Sequence, residues 1–138
     1  MNTDTEPKVL GNRLAGKVCI VTGGGSGFGE GISKRFAEEG AKVIVADMDP
    51  VGGQRVASYH PSNMHFIKMN VTSEEDWEMC IENTVNKWGR LDCLVNNAGT
   101  SYKNKVSSSL SRAGREGRKR GRQRWLTRVC EIADGGCY

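Results

Sequence analysis

Apolar residues along the chain fall into four short clusters, and the longer stretches between them repeat apolar positions every three or four residues. KVCIVTG at 17–23, KVIVAD at 42–47, HFIKMNV at 65–71 and LDCLVNNAG at 91–99 are the four clusters. Compact runs of this kind, rich in β-branched residues and without strict alternation, predict strands buried on both faces. Between the first two, Phe28 to Glu39 reads as a helix, with Ile32, Phe36 and Ala37 on one side and Lys34, Arg35, Glu38 and Glu39 largely opposite. Gly40 stands where such a helix stops. Ser73 predicts an N-cap for the next clear helix, with Asp76 as the partner in a weak capping box. Trp77, Cys80, Ile81, Thr84, Val85 and Trp88 form its apolar stripe, and Gly89 ends it. Pro50 marks a start for a helix over 51–59, which Gly52 and Gly53 weaken.

The order is therefore β-α-β-α-β-α-β with short connections. Such an order calls for parallel strands joined by right-handed crossovers, hence an α/β, Rossmann-like doubly wound sheet that ends after its fourth strand. Residues 1–12 are polar and read as a flexible leader, and 13–104 as a partial nucleotide-binding domain. From Ser101 the rhythm stops. Residues 105–138 are Ser-, Gly- and Arg-rich and are expected to form a disordered, low-complexity basic tail.

Charge sharpens that division. Residues 1–100 hold ten Lys/Arg against thirteen Asp/Glu, and 101–138 hold ten against three, so the net +4 belongs to the tail. A nucleic-acid reading would rest on GREGRKRGRQRW and Trp125 alone. The five cysteines, Cys19, Cys80, Cys93, Cys130 and Cys137, include no CxxC pair and no metal-ligand spacing. Cys19 and Cys93 sit in apolar runs, where a reduced thiol acts as a small hydrophobe. With no signal-like or membrane-length apolar run, the expectation is a soluble, cytoplasmic protein.

The chemistry begins at TGGGSGFG, residues 22–29. No frame gives G-x-G-x-x-G; the pattern that fits is Thr22-Gly23-x-x-x-Gly27-x-Gly29. Glycines there allow a tight turn between strand and helix and let the backbone approach a pyrophosphate, which the first helical N–H groups face. Asp47 closes the second strand eighteen residues beyond Gly29, where a carboxylate can accept hydrogen bonds from ribose hydroxyls. It would repel a 2′-phosphate, and neither Ser26 nor Met48 supplies a compensating cation. NAD is therefore favoured over NADP.

Together with Asn70-Val71-Thr72 and Asn96-Asn97-Ala98-Gly99, these residues resemble the short-chain dehydrogenase/reductase family over about 14–104. The resemblance implies that Thr22, Gly23, Ser26, Gly27, Phe28 and Gly29 surround the cofactor phosphates, and that Asp47 and Met48 lie at the adenosine ribose. It puts Asn70 and Val71 beside adenine, with Asn70 replacing a more usual aspartate. It puts Asn97, Ala98 and Gly99 at the adenine-side ribose, where the segment also steadies the sheet. The implied activity is NAD(P)-dependent oxidoreduction: hydride transfer between nicotinamide and a small alcohol or carbonyl. In the family a tyrosine acts as acid and base, a lysine four residues on lowers its pKa, and a serine orients the substrate.

That catalytic set does not carry over. Tyr59 is followed four residues on by Asn63, Tyr102 by Val106, and Tyr138 is the last residue. No catalytic residue and no metal ligand is assigned, and the family's substrate pocket and oligomer interface are expected to be largely missing. The main reading is the cofactor-binding portion of such an enzyme, expected to bind NAD weakly or not at all and not to turn substrate over. The abrupt tail is read as the product of a frame shift, retained intron or misjoined exon. Two alternatives stand: a catalytically silent NAD-binding partner of a full-length relative, and, as the lesser one, nucleic-acid binding through the tail.

Overall fold

A computed structural model describes residues 11–99. Its elements are β1 (Val18–Thr22), α1 (Gly27–Glu38), β2 (Lys42–Asp47), α2 (Pro50–Ala57), β3 (Met64–Lys68), α3 (Glu74–Trp88) and β4 (Cys93–Val95). The four strands form one sheet in the order β3-β2-β1-β4, and every neighbouring pair is parallel. This is the expected Rossmann-like doubly wound arrangement. The tail expected over 105–138 lies outside the described residues, as do 1–10 of the expected leader and 100–104 of the expected domain.

Alternate side chains of the central strands feed two cores. Cys19 and Val21 of β1 and Val43 and Val45 of β2 pack with Ala37, Val56 and Ala57 from α1 and α2. Ile20, Ile44 and Ala46 pack on the other face with Ile67, Met69, Leu91 and, from α3, Trp77, Cys80 and Ile81. All five residues of β1 are buried, as a strand with a sheet neighbour on each side and helices on both faces must be. Burial of each large aliphatic side chain here contributes about 1.5–3 kcal/mol. Among the described residues β4 pairs with β1 alone, and Cys93, Leu94 and Val95 are each partly exposed.

Local rules account for most element ends. After α1, Glu39 is the C-cap and Gly40 takes φ +89°. The Gly40 N–H then donates to the Ala37 carbonyl and the Ala41 N–H to that of Phe36, a Schellman closure. The helix itself runs one residue earlier than expected at each end. α2 forms despite its two glycines, and for a reason the sequence did not show. A Cβ on Gly53 would run into the Phe66 ring, and one on Gly52 would lie 2.8 Å from the Gly25 carbonyl. The helix thus needs glycine in order to sit close to β3 and to the β1–α1 turn. Asp49 caps it, accepting from Val51 and Gly52 at 3.0 and 3.1 Å.

Ser73 caps α3 by accepting the Asp76 N–H at 3.2 Å, but the Asp76 carboxylate does not return the bond. It accepts the Asn70 N–H at 2.8 Å instead, fixing the turn after β3. The third and fourth strands are shorter than the apolar runs that announced them. β3 stops at Lys68, although the Met69 N–H still reaches the Asp47 carbonyl at 3.0 Å. β4 holds only three of the nine residues in LDCLVNNAG. Asp92, just before it, accepts the Val18 N–H at 2.8 Å and so ties the start of β1 to the incoming chain.

Candidate functional site: the carboxyl ends of the strands

The expected site residues fall on four neighbouring connections: the β1–α1 turn, the segment after β2, the segment after β3 and the segment after β4. All four leave the same end of a parallel sheet. β1 hands on to β2 on one side while β4 flanks it on the other, so the chain direction across the sheet reverses at β1. A reversal of that kind opens a crevice beyond the strand ends, the usual place for a ligand in such folds.

Thr22, Gly23 and Asn97 form the floor. The Thr22 hydroxyl donates to the Val95 carbonyl at 3.1 Å and accepts the N–H groups of Asn97 and Ala98, each at 3.0 Å. The Asn97 amide nitrogen donates to the carbonyls of Thr22 and Gly23 at 3.1 and 3.2 Å. Gly23 has φ +63°, and a Cβ there would sit 3.0 Å from the Ala98 Cα. A Cβ on Gly29 would collide with the Gly23 carbonyl. These two glycines therefore permit the turn to fold flat against the segment after β4.

Ser26 is the N-cap of α1 in extended geometry, yet its side chain makes no capping bond. The first intrahelical bond is Glu30 N–H to the Ser26 carbonyl at 3.1 Å. Gly27, Phe28 and Gly29 precede it, and their N–H groups have no acceptor among the described residues. Three convergent donors at the positive end of a helix make a cradle for an anion. Gly27 takes φ +54° with open space around it, and the Phe28 side chain is 88 % exposed.

Asp47 faces this turn from the end of β2. Its Oδ2 accepts the Gly25 N–H and its Oδ1 the Asp49 N–H, both at 2.9 Å. A carboxylate has about four acceptor positions, so two remain for ribose hydroxyls. Met48, beside it, is 62 % exposed. On the far side of Gly25, the Arg55 guanidinium donates to its carbonyl at 3.2 Å. Arg55 also forks onto Glu30 through bonds of 2.8 and 2.7 Å, and Lys34 reaches the same carboxylate at 2.7 Å. The bonds from Arg55, then from Lys34, hold the Glu30 carboxyl down at about 2. None of Gly25, Glu30, Asp49 or Arg55 stood among the expected site residues. An acidic residue in the first turn of α1 and an arginine on the next helix were the only signals.

The segment after β3 departs from its expected role in one respect. The Asn70 side-chain oxygen accepts both the N–H and the hydroxyl of Thr72, at 3.0 and 2.7 Å. The acceptor expected to meet an adenine amine is thus engaged in a local turn. Val71 is partly exposed at the crevice edge, and its carbonyl takes the Trp77 indole N–H at 3.1 Å.

Tyr59, the one tyrosine among the described residues, is no candidate for acid–base work. Its hydroxyl donates to Glu38 at 2.7 Å, which pushes its pKa up rather than down. No group of three or more His, Cys, Asp or Glu side chains that could hold a metal ion occurs among the described residues. No helix among them is long and apolar enough to cross a membrane.

The chain is similar to known proteins in sequence and in fold. Residues 17–115 match the family model for short chain dehydrogenase. L-fucose dehydrogenase of Bos taurus is 48% identical over 90 residues, covering 65% of this chain and 33% of that protein. Secoisolariciresinol dehydrogenase of Forsythia intermedia is 41% identical over 97 residues, covering 70% of this chain and 35% of that protein. A hydroxysteroid dehydrogenase from Escherichia coli superposes with a TM-score of 0.62 at 34% identity, over 64% of this chain and 39% of that one. The chain spans about a third of the length of these curated relatives. A glycine turn opening a helix behind a buried strand, an acidic side chain closing the next strand and an NNAG segment bonded back to the turn thus agree with the match, and the chain belongs to the short chain dehydrogenase family.

Proposed function

We propose that this chain supplies the dinucleotide-binding portion of an oxidoreductase and binds NAD in preference to NADP. The observation that supports this most is the set of three N–H groups at Gly27, Phe28 and Gly29 that have no acceptor among the described residues, in the turn whose Gly25 N–H bonds the Asp47 carboxylate. The amides would take the pyrophosphate, and Asp47 would take the adenosine ribose hydroxyls. Asn97 and Thr22 hold the floor of the site in place. The bound cofactor would exchange a hydride at its nicotinamide ring with a small alcohol or carbonyl compound. No residue of this chain is assigned to the proton transfer that accompanies that step.

Two features favour NAD. Asp47 places a negative charge where a 2′-phosphate would have to lie. Arg55, the cation beside Gly25, is already forked onto Glu30 and so is engaged away from a 2′-phosphate. The test is a calorimetric titration of the full chain with NAD and with NADP, repeated for Asp47→Ser. NAD is expected to bind more tightly than NADP in the parent. Asp47→Ser should weaken NAD about tenfold, the size of a lost charge-assisted hydrogen bond. Tighter binding of NADP by the parent would overturn the assignment of Asp47. Binding of neither nucleotide would overturn the cofactor reading as a whole.

A further inference from the structure

Gly25 is held by both of its peptide groups. Its N–H donates to Asp47 at 2.9 Å, and its carbonyl accepts from Arg55 at 3.2 Å. The anion and the cation therefore flank a single residue of the turn, at the end of the crevice where the ribose is proposed to lie. Asp47 is free of any ion pair among the described residues, whereas Arg55 is forked onto Glu30 by two bonds. Glu30 comes from α1 and Arg55 from α2, so the fork is a tertiary contact rather than a helical neighbour pair.

Arginine presents a rigid planar fork that suits a phosphate as well as a carboxylate. A guanidinium held by a carboxylate fork offers little net charge to a second anion. A guanidinium beside a neutral amide keeps its place and its charge.

We propose that Glu30 is a specificity-determining residue of the cofactor site, acting through Arg55: its carboxylate keeps the guanidinium from receiving a ribose 2′-phosphate. The inference rests on the dinucleotide reading above and extends it from Asp47, which repels the phosphate, to Glu30, which withholds the cation. Discrimination against NADP is then built from two carboxylates on different elements.

The experiment compares 5′-ADP with 2′,5′-ADP, and NAD with NADP, against the full chain and three variants at low ionic strength. For Glu30→Gln, affinity for the 2′-phosphorylated member of each pair should rise relative to its partner by about tenfold, the size of one charge-assisted hydrogen bond. The double variant Glu30→Gln, Arg55→Gln should return the ratio to the parent's, because the cation that gained the phosphate has gone. Glu30→Gln, Arg55→Lys should keep part of the gain, since a lysine retains the charge without the fork. A ratio is insensitive to loss of folded protein, which lowers both affinities alike.

If the ion pair only braced α1 against α2, Glu30→Gln would weaken both nucleotides equally, and an unchanged ratio in a variant that still binds NAD would refute the role of Glu30 alone. A raised ratio that persists in the Glu30→Gln, Arg55→Gln double variant would assign the gain to Lys34 and refute the role of Arg55. A parent that binds none of the four nucleotides would overturn the cofactor reading on which the inference stands.

Discussion

Thr22 and Asn97 each bond to the other's backbone. The Asn97 N–H donates to the Thr22 hydroxyl at 3.0 Å, and the Asn97 side-chain amide donates to the Thr22 carbonyl at 3.1 Å. Thr22 ends β1, and Asn97 lies just beyond β4. Together they lock the glycine turn to the NNAG segment before any ligand arrives.

Thr22→Val is expected to show how much that lock contributes. Valine keeps the shape and the burial but leaves the Ala98 N–H without its acceptor and the Asn97 N–H with the Val95 carbonyl alone. The cost should be about 1–3 kcal/mol in urea unfolding followed by tryptophan fluorescence. Thr22→Ser keeps the hydroxyl and should recover most of it. Equal stability of the valine and serine variants would show that the hydroxyl bonds carry no net stabilisation.

Two glycines of the same helix make a matched pair. Gly29→Ala puts a methyl group into the Gly23 carbonyl, so the turn must open. Gly31→Ala meets nothing within 4 Å and replaces the poorest helix former but proline with the best. Gly29→Ala should abolish detectable NAD binding in calorimetry and lower the melting temperature. Gly31→Ala should leave binding unchanged and raise stability by about 0.5–1 kcal/mol.

Glu30 sets an acid limit on the fold. The Arg55 and Lys34 bonds bring its carboxyl from an ordinary 4.5 down to about 2 in the folded chain. A carboxyl depressed by folding stabilises the native state above its unfolded value and loses that contribution as protons bind. Stability should therefore fall as pH drops from about 4.5 towards 2. Glu30→Gln should flatten that part of the profile, measured as the urea midpoint against pH. An unchanged slope in the variant would show that other carboxylates dominate the acid transition.

The thiols should divide by burial. Burial pushes Cys19 and Cys80 up to about 12, with Cys93 adding to the shift at Cys19. A thiol that stays protonated at neutral pH is a poor nucleophile. Iodoacetamide at pH 8 followed by peptide mass analysis should leave both unmodified in the native chain. Cys93, partly exposed on β4, should be labelled ahead of them. Rapid labelling of Cys19 would mean that β4 leaves β1 on the timescale of the reaction.

Which features could be read in the chain before folding follows from how far each signal reaches. KVCIVTG and KVIVAD announce their strands because every position is buried, so composition alone is informative. Ser73 and Gly40 announce helix ends because capping is decided within a few residues. Asp47 closes β2, as its apolar run announces, while its bond to the Gly25 N–H joins residues 22 apart and carries no local signal. The length of β4 was not legible. Asn97 and Ala98 leave the ladder for the hydroxyl of Thr22, a partner at the other end of the described chain. The α2 glycines misled for the same reason: local propensity counts against them, while the Phe66 ring and the Gly25 carbonyl demand them. The Glu30–Arg55 fork joins a half-buried carboxylate and an exposed arginine from separate helices, and no periodicity marks such a pair.

The order β3-β2-β1-β4 has a consequence for how the chain is made. β1 is synthesised first, and its pairing with β2 follows after a single crossover helix. Its other margin must wait for Cys93, Leu94 and Val95, the last of these strands to leave the ribosome. Until then, any sheet made by the first three strands would leave Cys19, Ile20 and Val21 with one unpaired side. Non-local pairing of this kind is slow, and an unpaired strand margin invites foreign partners. Of the described strands, β1 is thus the stretch of the nascent polypeptide with most to gain from a chaperone.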